Sequence, residues 1–149
     1  MNPIRPAREE DAVRVAEIRV FCYRLNFYPI FRYDPFYFGE LTVPNAVREL
    51  FEAGFPRGTH VYDDGVVKGF VTLNGEEIGR LFVEPCLWGR GIGHALLAEA
   101  MAEGGRRLWV LDKNVRAIRF YERHGFRLTG REKPVDDTAE LLVEMALEA

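Results

Sequence analysis

The sequence predicts a mixed α/β fold, and three observations predict it. Apolar residues recur at helical spacing in runs that stop at Gly54, Gly104-Gly105 and Gly125. Asp64-Gly65 and Asn74-Gly75, the strongest short hairpin signals, separate strand-like runs in the middle of the chain. Between Leu81 and Met101 a strand passes through a glycine-rich turn into a helix. With 149 residues, 48% of them hydrophobic, the chain can bury one sizeable core, and a single domain over residues 1–149 is expected.

Taken in order, Ile4-Arg5-Pro6 reads as a short strand. Glu9, Glu10 and Asp11 place negative charge where a helix N-terminus favours it, ahead of a helix that turns Val13, Ala16 and Val20 inward. Aromatic residues crowd the stretch from Phe21 to Phe38, and Pro29 and Pro35 predict broken, irregular backbone there. A second helix starts near Pro44, buries Val47, Leu50 and Phe51, and stops at Gly54. Thr59 to Asp63, Val66 to Leu73 and Ile78 to Val83 form an antiparallel meander. Ile92, Leu96, Ala100 and Met101 mark the central helix, and Arg107 to Leu111 is a buried strand. Asn114 caps a helix from Val115 to His124, Phe126 to Thr129 is a strand, and Leu141 to Leu147 closes the fold with Leu141, Val143, Met145 and Leu147 on one face.

Composition excludes several function classes. The net charge is −3 with both signs interspersed, so there is no basic arm for nucleic acid. No apolar run is long enough to span a bilayer and the first residues lack the apolar core of a signal peptide, so no membrane partner and a cytoplasmic location are expected. Cys22 and Cys86 are expected to be free thiols. His60, His94 and His124 fall on separate elements without ligand spacing, which predicts no metal site.

The segment that carries chemistry is Leu81-Phe82-Val83-Glu84-Pro85-Cys86-Leu87-Trp88-Gly89-Arg90-Gly91-Ile92-Gly93-His94. Glycines let main-chain N–H groups approach an anion closely, and the helix start adds unpaired donors and a positive dipole end, so a pyrophosphate fits this turn. It is not a P-loop, because His94-Ala95 follows the last glycine where Lys and Ser or Thr are required, and only Ile92 separates Gly91 from Gly93 where a dinucleotide fingerprint needs two residues.

A second segment about twenty residues on, Asn114-Val115-Arg116-Ala117-Ile118-Arg119-Phe120-Tyr121-Glu122-Arg123-His124-Gly125-Phe126, completes a familiar pair. Together the two resemble the coenzyme A signatures of the GNAT superfamily, the Gcn5-related N-acetyltransferases. The resemblance implies a central mixed, splayed sheet flanked by helices, and acetyl-CoA as cosubstrate. It puts the pyrophosphate on amides from Trp88 through His94, Arg90 and Ile92 included. It pairs pantetheine with the main chain at Phe82 and Val83 and with Asn114, and it opens a gap between the strands ending near Val83 and Leu111. Trp88 departs from the family's usual Arg or Gln. The implied reaction is direct acetyl transfer to an amine in a ternary complex, with the Val83 N–H as oxyanion donor and Tyr121 as general acid. Glu77 and Glu84 are the candidate bases.

Plainer readings stand beside these. Tyr121 has core spacing with Ala117 and Ile118; Asn114 is a helix cap; Glu77 and Glu84 are charges near strand ends; Arg116, Arg119 and Arg123 form a solvated face that could also meet the adenosine 3′-phosphate. Tyr28, Tyr33 and Tyr37 are candidates for an acceptor pocket, and the aromatic stretch is equally suited to a core or a homodimer interface. The acceptor itself, a small-molecule or a peptide or protein amine, stays open. So do two other classes of function: an acyl-CoA binding or sensing module without turnover, and an interaction domain without cofactor.

Overall fold

The computed structural model describes residues 2–148. The meander forms where the hairpin signals place it: β2 (Thr59–Asp63), β3 (Val67–Asn74) and β4 (Glu77–Val83), with Gly65 and Gly75 supplying positive φ at the turns. β1 (Ile4–Pro6), β5 (Arg107–Leu111), β6 (Phe126–Pro134) and β7 (Leu141–Leu147) complete a seven-stranded sheet of order β1-β2-β3-β4-β5-β7-β6. All neighbours are antiparallel except β4 and β5.

That parallel pair is short. Only Glu77 with Arg107 and Ile78 with Leu108 are in register, and beyond them the strands part. The cause lies on the other edge of β4, where Thr72 of β3 faces both Gly79 and Arg80, because the register passes from Leu73–Ile78 to Val71–Leu81. Such a bulge bends the strand that carries the extra residue. Gly79 is required for it: a Cβ there would stand 2.5 Å from Thr72 Oγ1, whose hydroxyl accepts from the Arg80 N–H at 2.7 Å.

The sheet buries one core on each face. Helices α1 (Ala12–Asn26), α2 (Tyr28–Phe31) and α3 (Val43–Glu52) contribute to a cluster with Val61 and Phe70. Helices α4 (Ile92–Ala102) and α5 (Val115–Arg123) cover the other face, with Ile78, Val83, Leu108, Val110 and Met145. Alternation therefore sends Glu77, Arg80 and Phe82 to the α1 face and Ile78, Leu81 and Val83 to the α4 face.

Several sequence expectations are corrected. Helix α1 runs to Asn26, taking in the first six residues of the stretch expected to be irregular, and the chain then makes the short α2 and a wide helical turn at Pro35–Glu40. Val13 is exposed, since α1 buries Val15, Ile18 and Cys22 instead; Phe51 is exposed too. β6 continues past Thr129 to Pro134, pairing again with β7 after a register shift. No helix among the described residues is long and apolar enough to cross a membrane.

Candidate active site

The main chain leaves β4 through a short turn at Pro85–Leu87 and reaches α4 by way of Gly89 (φ +85°) and Gly91 (φ +82°), the latter being the N-cap residue. An L side chain is strained at both angles, and a Cβ at either position would meet no protein atom within 4 Å. The amide faces of the turn are therefore open, at the positive end of an eleven-residue helix. Beside them lies a cleft of about 440 Å³ that runs along β4 from the turn to α1, bordered across from the turn by Arg116, Ala117, Phe120 and Arg123 of α5. An extended, anionic group of the coenzyme A kind fits this donor set: unpaired amides and two guanidiniums at one end, apolar walls along the rest.

β4 decides which main-chain groups face that cleft. The Glu84 N–H donates to Lys68 O at 2.9 Å, and an antiparallel ladder alternates its direction of bonding every residue. Phe82, opposite Phe70, thus directs its N–H and C=O to β3, whereas Leu81 and Val83 direct theirs into the gap beside β5. The expectation that pantetheine pairs with the Phe82 main chain is corrected accordingly: Phe82 borders the cleft with its ring. Leu81 is the residue that sequence reasoning missed. The signal was the glycine inside the strand at Gly79, which announces a bulge and with it a change of parity.

Trp88 and Cys22 hold the end of β4 in place. The Trp88 indole Nε1–H donates to Val83 O at 2.8 Å, and the Cys22 thiol donates to the same oxygen at 3.2 Å. Arg116 lies over the Trp88 ring, its guanidinium carbon 3.8 Å from the centroid, so the two lips of the cleft touch. Burial pushes the Cys22 thiol up to about 12, which keeps it protonated as the donor to Val83 O. Cys86 is exposed.

Of the residues assigned to coenzyme A, Phe82, Val83, Trp88, Gly89, Gly91, Ile92, Gly93 and His94 border the cleft. Arg90 is exposed outside it, and Asn114 is a helix cap whose Oδ1 accepts from the Ala117 N–H at 3.3 Å. His94 Nδ1 lies 2.6 Å from Nε2 of His124, whose Nδ1–H is held by Phe120 O at 2.8 Å, so the pair carries a shared hydrogen bond at the end of the cleft near the turn.

The catalytic candidates divide. Tyr121 packs edge-on against Phe120, a residue that borders the cleft, and against Phe126, and burial pushes its phenol up to about 12, so it is protonated at neutral pH. Glu84 is held by Arg14 at 2.9 Å, and Arg14 also holds Glu17 and Val67 O. Taking a proton would break that network, an arrangement that suits a structural partner of Arg14. Glu77 stands on the α1 face at the start of β4, just before the bulge. Tyr33 is 60% exposed, Tyr28 bonds Asp34 and Tyr37 is buried, so none of these three borders the cleft. The aromatics that approach β4 are Tyr23 and Phe27, whose rings meet Phe82 at 5.6 and 6.2 Å.

Residues 56–128, which hold β4, the turn, α4 and α5, match the family model "Acetyltransferase (GNAT) domain". The chain belongs to the GNAT superfamily. Peptidyl-lysine N-acetyltransferase YjaB of Salmonella typhimurium is 37% identical over 83 residues, 55% of this chain and 57% of that one, so this GNAT chain spans about half the length of the curated relatives it matches. The solution structure of apo-form YjaB from Escherichia coli aligns with a TM-score of 0.69 at 23% identity, covering 96% of this chain and 95% of that one. The PaiA N-acetyltransferase from Thermoplasma acidophilum, solved in complex with coenzyme A, aligns with a TM-score of 0.67 at 19% identity over 95% and 96%. These likenesses establish the GNAT fold for the chain as a whole.

Proposed function

We propose that the protein transfers the acetyl group of acetyl-CoA directly to a primary amine in a ternary complex. The observation that carries this reading is the junction of two features: open amides at Gly89 and Gly91 at one end of the cleft, and unpaired main-chain N–H groups of β4 at the other, where β4 and β5 part. The names of the relatives supply the acetyl group and the amine, and the PaiA complex supplies coenzyme A.

In this reading the turn from Trp88 to His94 and the guanidiniums of Arg116 and Arg123 hold the pyrophosphate. Val83 adjoins the turn, and its carbonyl is bonded to Trp88 of that turn. The thioester lies a pantetheine arm away, so it belongs deeper along β4, and the oxyanion donor moves from Val83 to Leu81, whose N–H points into the same gap. Val83 then pairs with the arm. Glu77, on the α1 face from which an acceptor approaches, takes the ammonium proton through water, because an alkyl ammonium near pKa 10.4 has to lose a proton before it attacks. Tyr121 keeps its proton at neutral pH and is the acid that returns one to the departing thiolate.

Two observations favour a second reading, an acyl-CoA binding module without turnover: Tyr121 is not among the residues that line the cleft, and Glu84 is paired with Arg14. Release of coenzyme A thiol, followed with a thiol reagent while a panel of amines is supplied with acetyl-CoA, separates the two. Amine-dependent release supports transfer; saturable binding without release from any amine overturns it.

A further inference from the structure

Arg80 is the one charged side chain that the bulge delivers to the α1 face of β4, immediately before Leu81. It is half-buried, and its Nε–H donates to the Tyr23 hydroxyl at 3.1 Å. No carboxylate among the described residues pairs with it, in contrast to Arg5, Arg14 and Arg19, which all have acid partners. A partly buried guanidinium held in place without a counter-charge is costly to keep, and its two terminal nitrogens form a fork that matches a carboxylate.

Its surroundings point the same way. Tyr23 carries a second guanidinium, that of Arg19, 5.2 Å from its ring centroid. Arg19 is 8% exposed, its terminal nitrogen meets Glu49 at 3.1 Å, and its Nε has no partner. Two guanidiniums, those of Arg80 and Arg19, therefore meet at Tyr23. The rings of Tyr23, Phe27 and Phe82 meet edge to face at 4.9, 5.6 and 6.2 Å and make an apolar wall next to Arg80. Asn26 and Phe82 bring this wall to the border of the cleft. On the other side of the bulge, on the same face, stands Glu77.

We propose that this group is the acceptor subsite and that it selects a free α-amino acid with an apolar or aromatic side chain: Arg80 reads the carboxylate, Glu77 faces the ammonium, and Tyr23, Phe27 and Phe82 contact the side chain. The inference rests on the acetyl-transfer reading. The unpaired fork of Arg80 decides for a free amino acid over a lysine side chain, because a lysine within a peptide has no α-carboxylate to offer it. In the transfer the ammonium first gives one proton to Glu77; the amine nitrogen then forms a bond to the acetyl carbon, the carbon–sulfur bond breaks, Tyr121 gives its proton to the departing thiolate, and the second proton lost by the nitrogen restores the Tyr121 phenol. The Tyr23 hydroxyl positions Arg80 while its ring contacts the acceptor's side chain.

Matched acceptors test it with the full chain and acetyl-CoA. L-Phenylalanine should exceed phenethylamine, which lacks only the carboxylate, by about 30-fold in kcat/KM, and should exceed a lysine-containing peptide amide likewise. Arg80→Gln should bring the phenylalanine-to-phenethylamine ratio close to one, Arg80→Lys should restore part of it, and Tyr23→Phe should raise KM for phenylalanine with little change in kcat. A calorimetric titration with acetyl-CoA accompanies each variant and reports an intact cofactor site. Thiol release with equal efficiency for phenethylamine or the peptide, or a ratio that Arg80→Gln leaves unchanged, overturns the inference while leaving acetyl transfer standing. Failure of the wild type to bind acetyl-CoA overturns both.

Discussion

The two halves of the cleft are built from different materials. The cofactor half uses main-chain atoms: amides of a turn opened by Gly89 and Gly91, the start of α4, and the N–H groups of Leu81 and Val83 that the bulge leaves unpaired. The proposed acceptor half uses side chains from distant segments, Tyr23 and Phe27 from α1 with Arg80 and Phe82 from β4, of which Phe82 borders the cleft. A main-chain site needs particular residues only where backbone geometry demands them, and it leaves a compact sequence signature. A side-chain site can be assembled in many ways, and changing one or two residues alters what it accepts while the cofactor half stays as it is.

This difference can be broken or sharpened by substitution, and the largest effect belongs to the main-chain half. Gly91→Val puts a β-branched side chain at φ +82° and a methyl group on the open amide face, so acetyl-CoA affinity should fall at least about 100-fold in calorimetry. A thermal melt shows whether the turn alone has changed; unaltered affinity would move the pyrophosphate elsewhere. Tyr121→Phe comes next, with a fall in kcat of about 100-fold and nearly constant cofactor affinity. Because burial raises this phenol to about 12, its protonated form persists as pH rises, and kcat should show no falling limb below about pH 11. A falling limb near neutral-to-mild alkaline pH, or an unchanged rate in the variant, would remove Tyr121 as the acid.

Smaller effects are expected where a side chain only supports the turn. Arg116→Ala should weaken acetyl-CoA by about tenfold and reduce the dependence of binding on salt, since the guanidinium over Trp88 is in place to meet the pyrophosphate. Equal affinity and equal salt dependence would mean that the stack is structural only. The smallest kinetic effect should come from Glu84→Gln, which lowers the melting temperature by removing one of the two carboxylates paired with Arg14 but leaves the pH profile of kcat in place. Loss of the ascending limb in that variant would reinstate Glu84 as the base.

The same contrast explains what was legible in the sequence. Hairpin glycines, the helix stops and the Gly89-to-Gly93 turn act through local backbone geometry, so β2 to β5, α4 and α5 fall close to where the sequence places them. Asn114 was legible as a cap for the same reason. The splay itself depends on Thr72 opposing Gly79 and Arg80, a pairing between strands, although Gly79 inside a strand was a usable hint. The acceptor half was not legible. Tyr28, Tyr33 and Tyr37 have the right composition, but α1 runs on through Asn26 and carries Tyr23 to β4 while those three turn elsewhere. Nor does any local pattern reveal that Cys22, far from the glycine turn in sequence, donates to Val83 O, or that Arg14 has claimed Glu84.

The central claim is that the open amides of the turn and the gap beside β4 form one acetyl-CoA site. Calorimetric titration of the purified chain with acetyl-CoA, run beside Gly91→Val, tests it most directly. The account predicts saturable binding near one equivalent for the wild type and none for the variant; no binding by the wild type, or equal binding by both, would contradict it.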